Sequence, residues 1–178
     1  MYQPQTIYTE IALAAICNKL KWKNLPPQSV VSIPSELLSQ RHGCFVSLHK
    51  TDGSLRGCIG TIEPYEKNLS EEIARNAISA AFHDSRFNPV TEEEMEDIEL
   101  SVDVLTVPEP IYDLDDLDPL IYGVIVTDEK HHRAVLIPSI PTITTVEQQI
   151  EIVKRKAGLS KVNNELLAFF RFTSNRYH

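Results

Sequence analysis

The residue types best suited to covalent chemistry come together in the stretch Ser54–Pro64, where Cys58 lies between Gly57 and Gly60 and two residues after Arg56. A cysteine thiolate is nucleophilic, and a neighbouring cation favours the thiolate over the thiol. A glycine in a strand often leaves room for a ligand or another backbone to come close. The stretch therefore predicts a pocket in which Cys58 acts as a nucleophile and Arg56 holds an anionic group.

A β-hairpin would bring further polar side chains to Cys58. Residues 44–50 and 55–61 flank the pair Asp52-Gly53, which is typical of a tight hairpin turn. In the register that this turn predicts, one face of the hairpin carries three opposing pairs: Ser47 with Cys58, His49 with Arg56, and Phe45 with Gly60. The opposite face, which includes Gly57, belongs to the core.

His49 and Glu63 are the candidate partners of Cys58 in catalysis. In the predicted register, His49 lies diagonally across from Cys58, about 7–8 Å away between backbones and within side-chain reach. Glu63 follows the motif closely enough to act as a base. The candidate substrate-binding residues are the polar and glycine positions expected around the thiol: Arg56, Gly57, Gly60, Ser47, Asn76 and Arg86.

A structural interpretation accounts for the same residues. Free cysteine is among the most buried residue types, and a helix over the hairpin would make Gly57 and Gly60 packing notches. Asn76 lies on a helical edge that could equally face solvent, and Arg86 could pair with Asp84 instead of a ligand. A slip of one residue at a bulged turn would move His49 to the other face.

The remaining elements indicate an α+β fold with helices packed on a mostly antiparallel sheet. Hydrophobic periodicity and capping residues predict helices over about 6–21, 68–83 and 145–157. Pro26-Pro27 is expected to stop the first helix. Alternating patterns predict strands over 98–106 and 166–173 and a second hairpin over 121–127 and 133–138. Ser35-Glu36 is expected to form a turn.

Length, charge and composition limit the function classes. A chain of 178 residues fits one domain, and its net charge of −8 argues against a nucleic-acid partner. The longest apolar run, Ile11–Cys17, is too short to cross a membrane. Three scattered cysteines indicate free thiols in a reducing compartment, which predicts a cytoplasmic protein. Because Cys-x-x-Cys and His-Glu-x-x-His spacings are absent from the sequence, we expect the protein to bind neither a metal nor a cofactor.

The stretch Leu55-Arg-Gly-Cys-Ile-Gly60, followed by Thr61-Ile-Glu-Pro64, resembles the signature of the AMMECR1 domain family. The resemblance spans essentially the whole chain through seven further segments: 76–82, 84–87, 89–91, 98–111, 122–126, 136–138 and 155–159. Two of these, Tyr122-Gly-Val-Ile-Val126 and Lys156-Ala-Gly-Leu159, are most similar to the bacterial branch called protein A of the AmmeMemoRadiSam system.

This resemblance implies a single α+β domain over 1–178, with two closely packed lobes and the glycine-cysteine motif near a cleft between them. It also implies a Memo-like protein and a radical S-adenosylmethionine protein as partners, and some relatives are fused to a Memo-like domain. Two functions are compatible with the residues. One is an enzyme that uses Cys58 on a small molecule, and the other is a non-catalytic adaptor whose cleft binds a small molecule or a peptide.

Overall fold

The computed structural model describes residues 2–21 and 32–178. Within these residues the chain forms four α-helices and eight strands. In chain order the elements are α1 (Ile7–Leu20), α2 (Ser35–Ser39), β1 (Cys44–Lys50), β2 (Leu55–Thr61), α3 (Leu69–Phe82), β3 (Ile98–Leu105), β4 (Glu109–Ile111), β5 (Gly123–Thr127), β6 (Arg133–Leu136), α4 (Val146–Lys156), β7 (Ala168–Phe172) and β8 (Ser174–Tyr177). The predicted α+β class is confirmed.

The chain divides into two compact units. Unit 1 comprises Met1–Val104 and Asn175–His178, and unit 2 comprises Leu105–Ser174. Each unit has one four-stranded sheet, with strand orders β2-β1-β3-β8 and β4-β7-β5-β6. The structure thus contains two sheets where the sequence predicted one. Strand β3 of the first sheet ends at Leu105, shortly before Pro108, which has no N–H to donate to a strand ladder. The prediction that residues 1–178 form a single domain stays a prediction.

Helices α1 and α3 pack on one face of the unit 1 sheet and close its core. Thr6 caps α1 through a reciprocal pair of hydrogen bonds with Thr9, and Lys21 ends the helix in the left-handed conformation. Pro26-Pro27, the predicted stop, lies outside the described residues. Asn68 caps α3 by accepting a hydrogen bond from the Glu71 N–H at 2.9 Å. Both predicted helices are therefore confirmed, with local caps that fix where each begins.

Unit 2 packs α4 against β5 and β6 around its own core. The predicted capping box is present, because Thr145 and Gln148 bond each other's backbone N–H groups. Gly158 follows the helix with φ 73°, a conformation in which glycine is favoured. The predicted hairpin is confirmed as β5 and β6, which pair antiparallel.

Three local predictions differ from the structure. Residues 35–39 form the short helix α2 instead of a turn. Strand β4 was not predicted because it contains Pro110, which is tolerated there because β4 lies at the edge of its sheet. The final predicted strand, over 166–173, corresponds to β7, and β8, which was not predicted, follows it in the other sheet. Among the described residues, no helix combines the length and hydrophobicity needed to cross a bilayer.

Candidate functional site

The β1–β2 hairpin follows the predicted register up to its turn, where a β-bulge intervenes. Ser47 lies opposite Cys58 and Phe45 opposite Gly60, as predicted. His49, however, lies opposite Leu55, so the prediction that it faces Arg56 is wrong. Arg56 is the extra residue of the bulge, and an extra residue shifts the pairing of everything between it and the turn.

The backbone N–H and carbonyl of Cys58 are both hydrogen-bonded by side chains on the side of β2 that faces away from β1. Its N–H donates to Asp84 Oδ2 at 3.0 Å, and its carbonyl accepts from Arg86 Nη2 at 3.3 Å. Because both groups point away from β1, Ser47 and Cys58 form the closer kind of antiparallel pair, in which side chains approach each other. The Ser47 hydroxyl accordingly donates to the Cys58 sulfur at 3.2 Å.

Cys58 differs from the other two cysteines in its environment. Cys17 and Cys44 are fully buried, and burial raises the pKa of the Cys17 thiol to about 11 and that of the Cys44 thiol to about 12. Cys58 is only partly buried. A thiol must be accessible to react, so Cys58 is the cysteine best placed for chemistry.

Asp84 and Arg86 form an ion pair that secures this edge. The Arg86 guanidinium bonds both carboxylate oxygens, at 2.9 and 2.7 Å, and holds the pKa of the buried Asp84 carboxyl far below its usual range. Arg86 itself is 55% exposed. The structure therefore supports the ion-pair interpretation of Arg86, while leaving much of its guanidinium accessible. The pair also occupies backbone groups of an edge strand that would otherwise be open to another chain.

Arg56 is buried and joins β2 to the segment 88–94 through hydrogen bonds. It is 6% exposed, and its Nε and Nη2 bond the two carboxylate oxygens of Glu94 at 2.8 and 3.0 Å. Its Nη2 also donates to the Asn88 carbonyl at 2.9 Å. The guanidinium in turn lowers the pKa of the Glu94 carboxyl. The predicted anion-binding role can therefore fall only on Nη1, the remaining nitrogen.

The space beside each glycine of the motif is occupied by other atoms of the protein. A Cβ on Gly57 would lie 2.3 Å from the Ala80 carbonyl oxygen of α3, and one on Gly60 would lie 2.3 Å from the Phe45 ring. These approaches explain why each position lacks a side chain. The structural interpretation of Gly57 and Gly60 thus describes their surroundings better than the prediction that they bind substrate.

Three further predicted residues do not join the thiol. Asn76 is 1% exposed, and its side-chain amide donates to the Cys44 carbonyl at 3.0 Å inside the core, so its role is structural. Glu63 is exposed and lies beyond the end of β2 at Thr61. Within the described residues, no hydrogen bond connects the His49 ring with Cys58. The predicted catalytic roles of His49 and Glu63 stay predictions.

The structure adds residues that the hairpin alone does not reveal. Strand β3 places Ser101 opposite Ser47, so Cys58, Ser47 and Ser101 form a row across three strands. In the same sheet, Asp103 accepts a two-pronged contact from Arg176, at 3.0 Å to each oxygen. The alternating pattern of β3 indicates that Ser101 and Asp103 lie on one polar face. Only the order of the strands shows that this face is the one that carries Cys58.

Metal binding has no obvious ligand set in this site. Across the two described ranges, no three His, Cys, Asp or Glu side chains are grouped as metal ligands would be. The expectation that the protein needs no metal or cofactor stays a prediction.

The fold and site define an α+β protein whose sheet carries one accessible thiol beside a hydroxyl. Over residues 9–177, the sequence matches the family model described as AMMECR1. The chain therefore belongs to the AMMECR1 family, as the motif indicated.

Individual relatives agree with this family. A protein of Thermotoga maritima is 46% identical over 171 residues, which cover 96% of each chain. A protein of Clostridium acetobutylicum is 42% identical over 144 residues, which cover 81% of this chain but 30% of that longer protein. The crystal structure of an uncharacterised protein from Pyrococcus horikoshii matches with a TM-score of 0.79 at 29% identity, covering 96% of this chain and 88% of that one.

Proposed function

We propose that the protein is an enzyme that uses the Cys58 thiol as a nucleophile on a small molecule. The observation that carries this proposal is the contrast between Cys58, partly exposed with the Ser47 hydroxyl donating to its sulfur at 3.2 Å, and the buried Cys17 and Cys44. A hydrogen bond donated to sulfur stabilises the thiolate, which is the reactive form.

Two arginines of the same unit are held by carboxylates. Arg86 and Arg176 each have a raised pKa, chiefly because of their carboxylate partners Asp84 and Asp103. In the proposed step, sulfur forms a bond to an electrophilic carbon, the bond from that carbon to its leaving group breaks, and the leaving group departs with the electron pair. The thiol proton passes to solvent.

The cysteines and the family resemblance support a proposed compartment and proposed partners for this activity. Free thiols persist in a reducing compartment, here the cytoplasm. The resemblance to protein A of the AmmeMemoRadiSam system adds a Memo-like protein and a radical S-adenosylmethionine protein as proposed partners.

An acylation burst tests the proposal. With p-nitrophenyl acetate in excess, we expect wild-type protein to release about one equivalent of p-nitrophenolate in a fast phase as the acetyl group moves to Cys58. Cys58→Ala should abolish the burst, and Cys17→Ala should retain it because that thiol is buried. A burst of the same size in Cys58→Ala, or none in wild type, would sink the enzyme proposal.

A second candidate function, a non-catalytic adaptor, is favoured by the ion pairing around the thiol. Arg56, Arg86 and Arg176 are all engaged by carboxylates of unit 1. In this case Cys58→Ser should still bind the purified Memo-like and radical S-adenosylmethionine proteins of the same genome in size-exclusion chromatography. A retained complex together with no burst in wild type would select the adaptor.

A further inference from the structure

A cavity of about 490 Å³ lies in unit 1 at the turn end of the β1–β2 hairpin. Its walls come from the hairpin and from the segment 86–94 that follows α3. The lining residues that carry its chemistry are Lys50, Arg56, Arg86, Phe87, Thr91 and Glu94. This volume falls in the range of small-molecule sites.

The cavity is positively charged, although the protein as a whole carries a net charge of −8. Lys50, Arg56 and Arg86 line it, with Glu94 as the opposing carboxylate. Glu94 accepts hydrogen bonds at both oxygens, from Arg56 and from the Thr91 N–H at 3.0 Å. Arg56 is paired with Glu94 and Arg86 with Asp84, so the positive charge in excess at the cavity is that of Lys50.

Two guanidinium nitrogens at this cavity have no acceptor within the described part of the chain. Arg56 Nη1 is buried and unpartnered, although the residue is more than nine-tenths buried. Arg86 donates from Nε and Nη2 to Asp84, and its Nη1 donates no hydrogen bond among the described residues. A buried donor without a partner is unfavourable, so an incoming anion would be stabilised by both nitrogens.

Phe87 fixes these two arginines and supplies an apolar wall. Its ring centroid lies 5.7 Å from Arg56 Cζ and 5.4 Å from Arg86 Cζ, within the distance of a cation–π contact. A ring flanked by two guanidinium groups holds their orientation before any ligand arrives. Such preorganisation lowers the entropic penalty of binding.

We infer that this cavity binds the phosphate or carboxylate group of a small organic molecule, with Arg86, Arg56 and Lys50 as the anion-binding residues. The inference deepens the proposed function and rests on it in one respect: the anion would belong to the molecule that Cys58 attacks. Arg86 connects the two features, since it lines the cavity and its Nη2 donates to the Cys58 carbonyl at 3.3 Å. Anion binding itself requires no thiol.

Titration of the ¹⁵N-labelled full chain with inorganic phosphate and, separately, with malonate tests this inference, at ionic strength held constant with NaCl. We expect saturable shifts in the amide signals of residues 86–91 with at least one of the two anions. Lys50→Gln should weaken binding about fivefold, and Arg86→Gln about tenfold or more, because each removes a charged donor. Binding of phosphate alone or malonate alone identifies which anionic group the site prefers.

Lys67→Gln is the matched control, since Lys67 is an exposed lysine of unit 1 whose partner is Glu71. It should bind the anion with wild-type affinity. The inference is overturned if neither anion causes saturable shifts, or if Lys50→Gln and Arg86→Gln both bind like wild type. Cys58→Ala should bind the anion normally, because the thiol is not part of the anion site. If wild-type protein binds the anion but gives no acylation burst, the enzyme proposal is rejected and the anion site is retained.

Discussion

Replacing Gly57 with alanine is expected to destabilise the protein by about 3 kcal/mol, because the new methyl group collides with backbone that cannot rotate away. The added Cβ would lie 2.3 Å from the Ala80 carbonyl oxygen of α3, the helix that packs against β2. Relief requires moving helix α3 away from the sheet and loosening the core around Ala77 and Ala80. Urea unfolding of wild type and variant measures the difference in the free energy of unfolding.

Gly53→Ala is the control for this prediction. Gly53 has nothing within 4 Å of an added Cβ, but its φ of 82° strains a residue with a side chain. We therefore expect a loss of only about 1 kcal/mol, from backbone strain in the hairpin turn. Equal losses in the two variants would mean that the approach of α3 to Gly57 is not the cause.

Replacing Glu72 with alanine is expected to lower the free energy of unfolding by about 3 kcal/mol, because a buried carboxylate and the three partly buried hydrogen bonds that it accepts are lost. Glu72 is fully buried in α3. It accepts the N–H of Tyr65 at 2.7 Å, the N–H of Glu66 at 2.6 Å, and the Thr61 hydroxyl. These contacts hold the chain just after the cysteine motif against the helix that supports it.

Glu72→Gln and Glu71→Gln resolve the origin of that loss. The glutamine at position 72 keeps the size of the side chain but turns an NH₂ group toward donors, so about 2 kcal/mol should still be lost. Glu71, the neighbouring position, forms an exposed pair with Lys67, and its replacement should change stability by no more than about 0.5 kcal/mol. Urea unfolding that showed Glu72→Gln as stable as Glu71→Gln would contradict the proposed anchoring role.

The local structure of this chain could be predicted because its signals are short-range. Asp52-Gly53 specifies a tight turn, and the alternation on both sides then fixes the bounds of β1 and β2. The caps at Thr6 and Thr145 mark where α1 and α4 begin. Each of these features needs only a few neighbouring residues, so the sequence contains all of the information.

The candidate site was predicted less well because its contacts are long-range. Arg56 was placed beside Cys58 as a free cation, but Glu94, 38 residues away, occupies its guanidinium. The bulge that displaces His49 has this same Arg56 as its extra residue. Nothing in the local pattern around the hairpin reports where residue 94 will lie.

A polar residue within an apolar helical stripe was the signal that could have revealed more. Glu72 and Asn76 are spaced by four residues on the α3 face that also carries Ile73 and Ala77. Buried polar side chains need hydrogen-bond partners, so both positions indicate internal anchors instead of ligand contacts. Read this way, the sequence predicts the structural role of Asn76, which was instead expected to bind substrate.

The most direct test of the account is iodoacetamide labelling of the native protein, with each cysteine quantified by mass spectrometry. We predict that Cys58 is alkylated at least about tenfold faster than Cys17 and Cys44, whose burial raises their pKa values. Ser47→Ala should slow the labelling of Cys58, because the sulfur loses its hydrogen-bond donor. If Cys58 stays unmodified until denaturant unfolds the chain, its thiol is part of the packing and the proposed chemistry is contradicted.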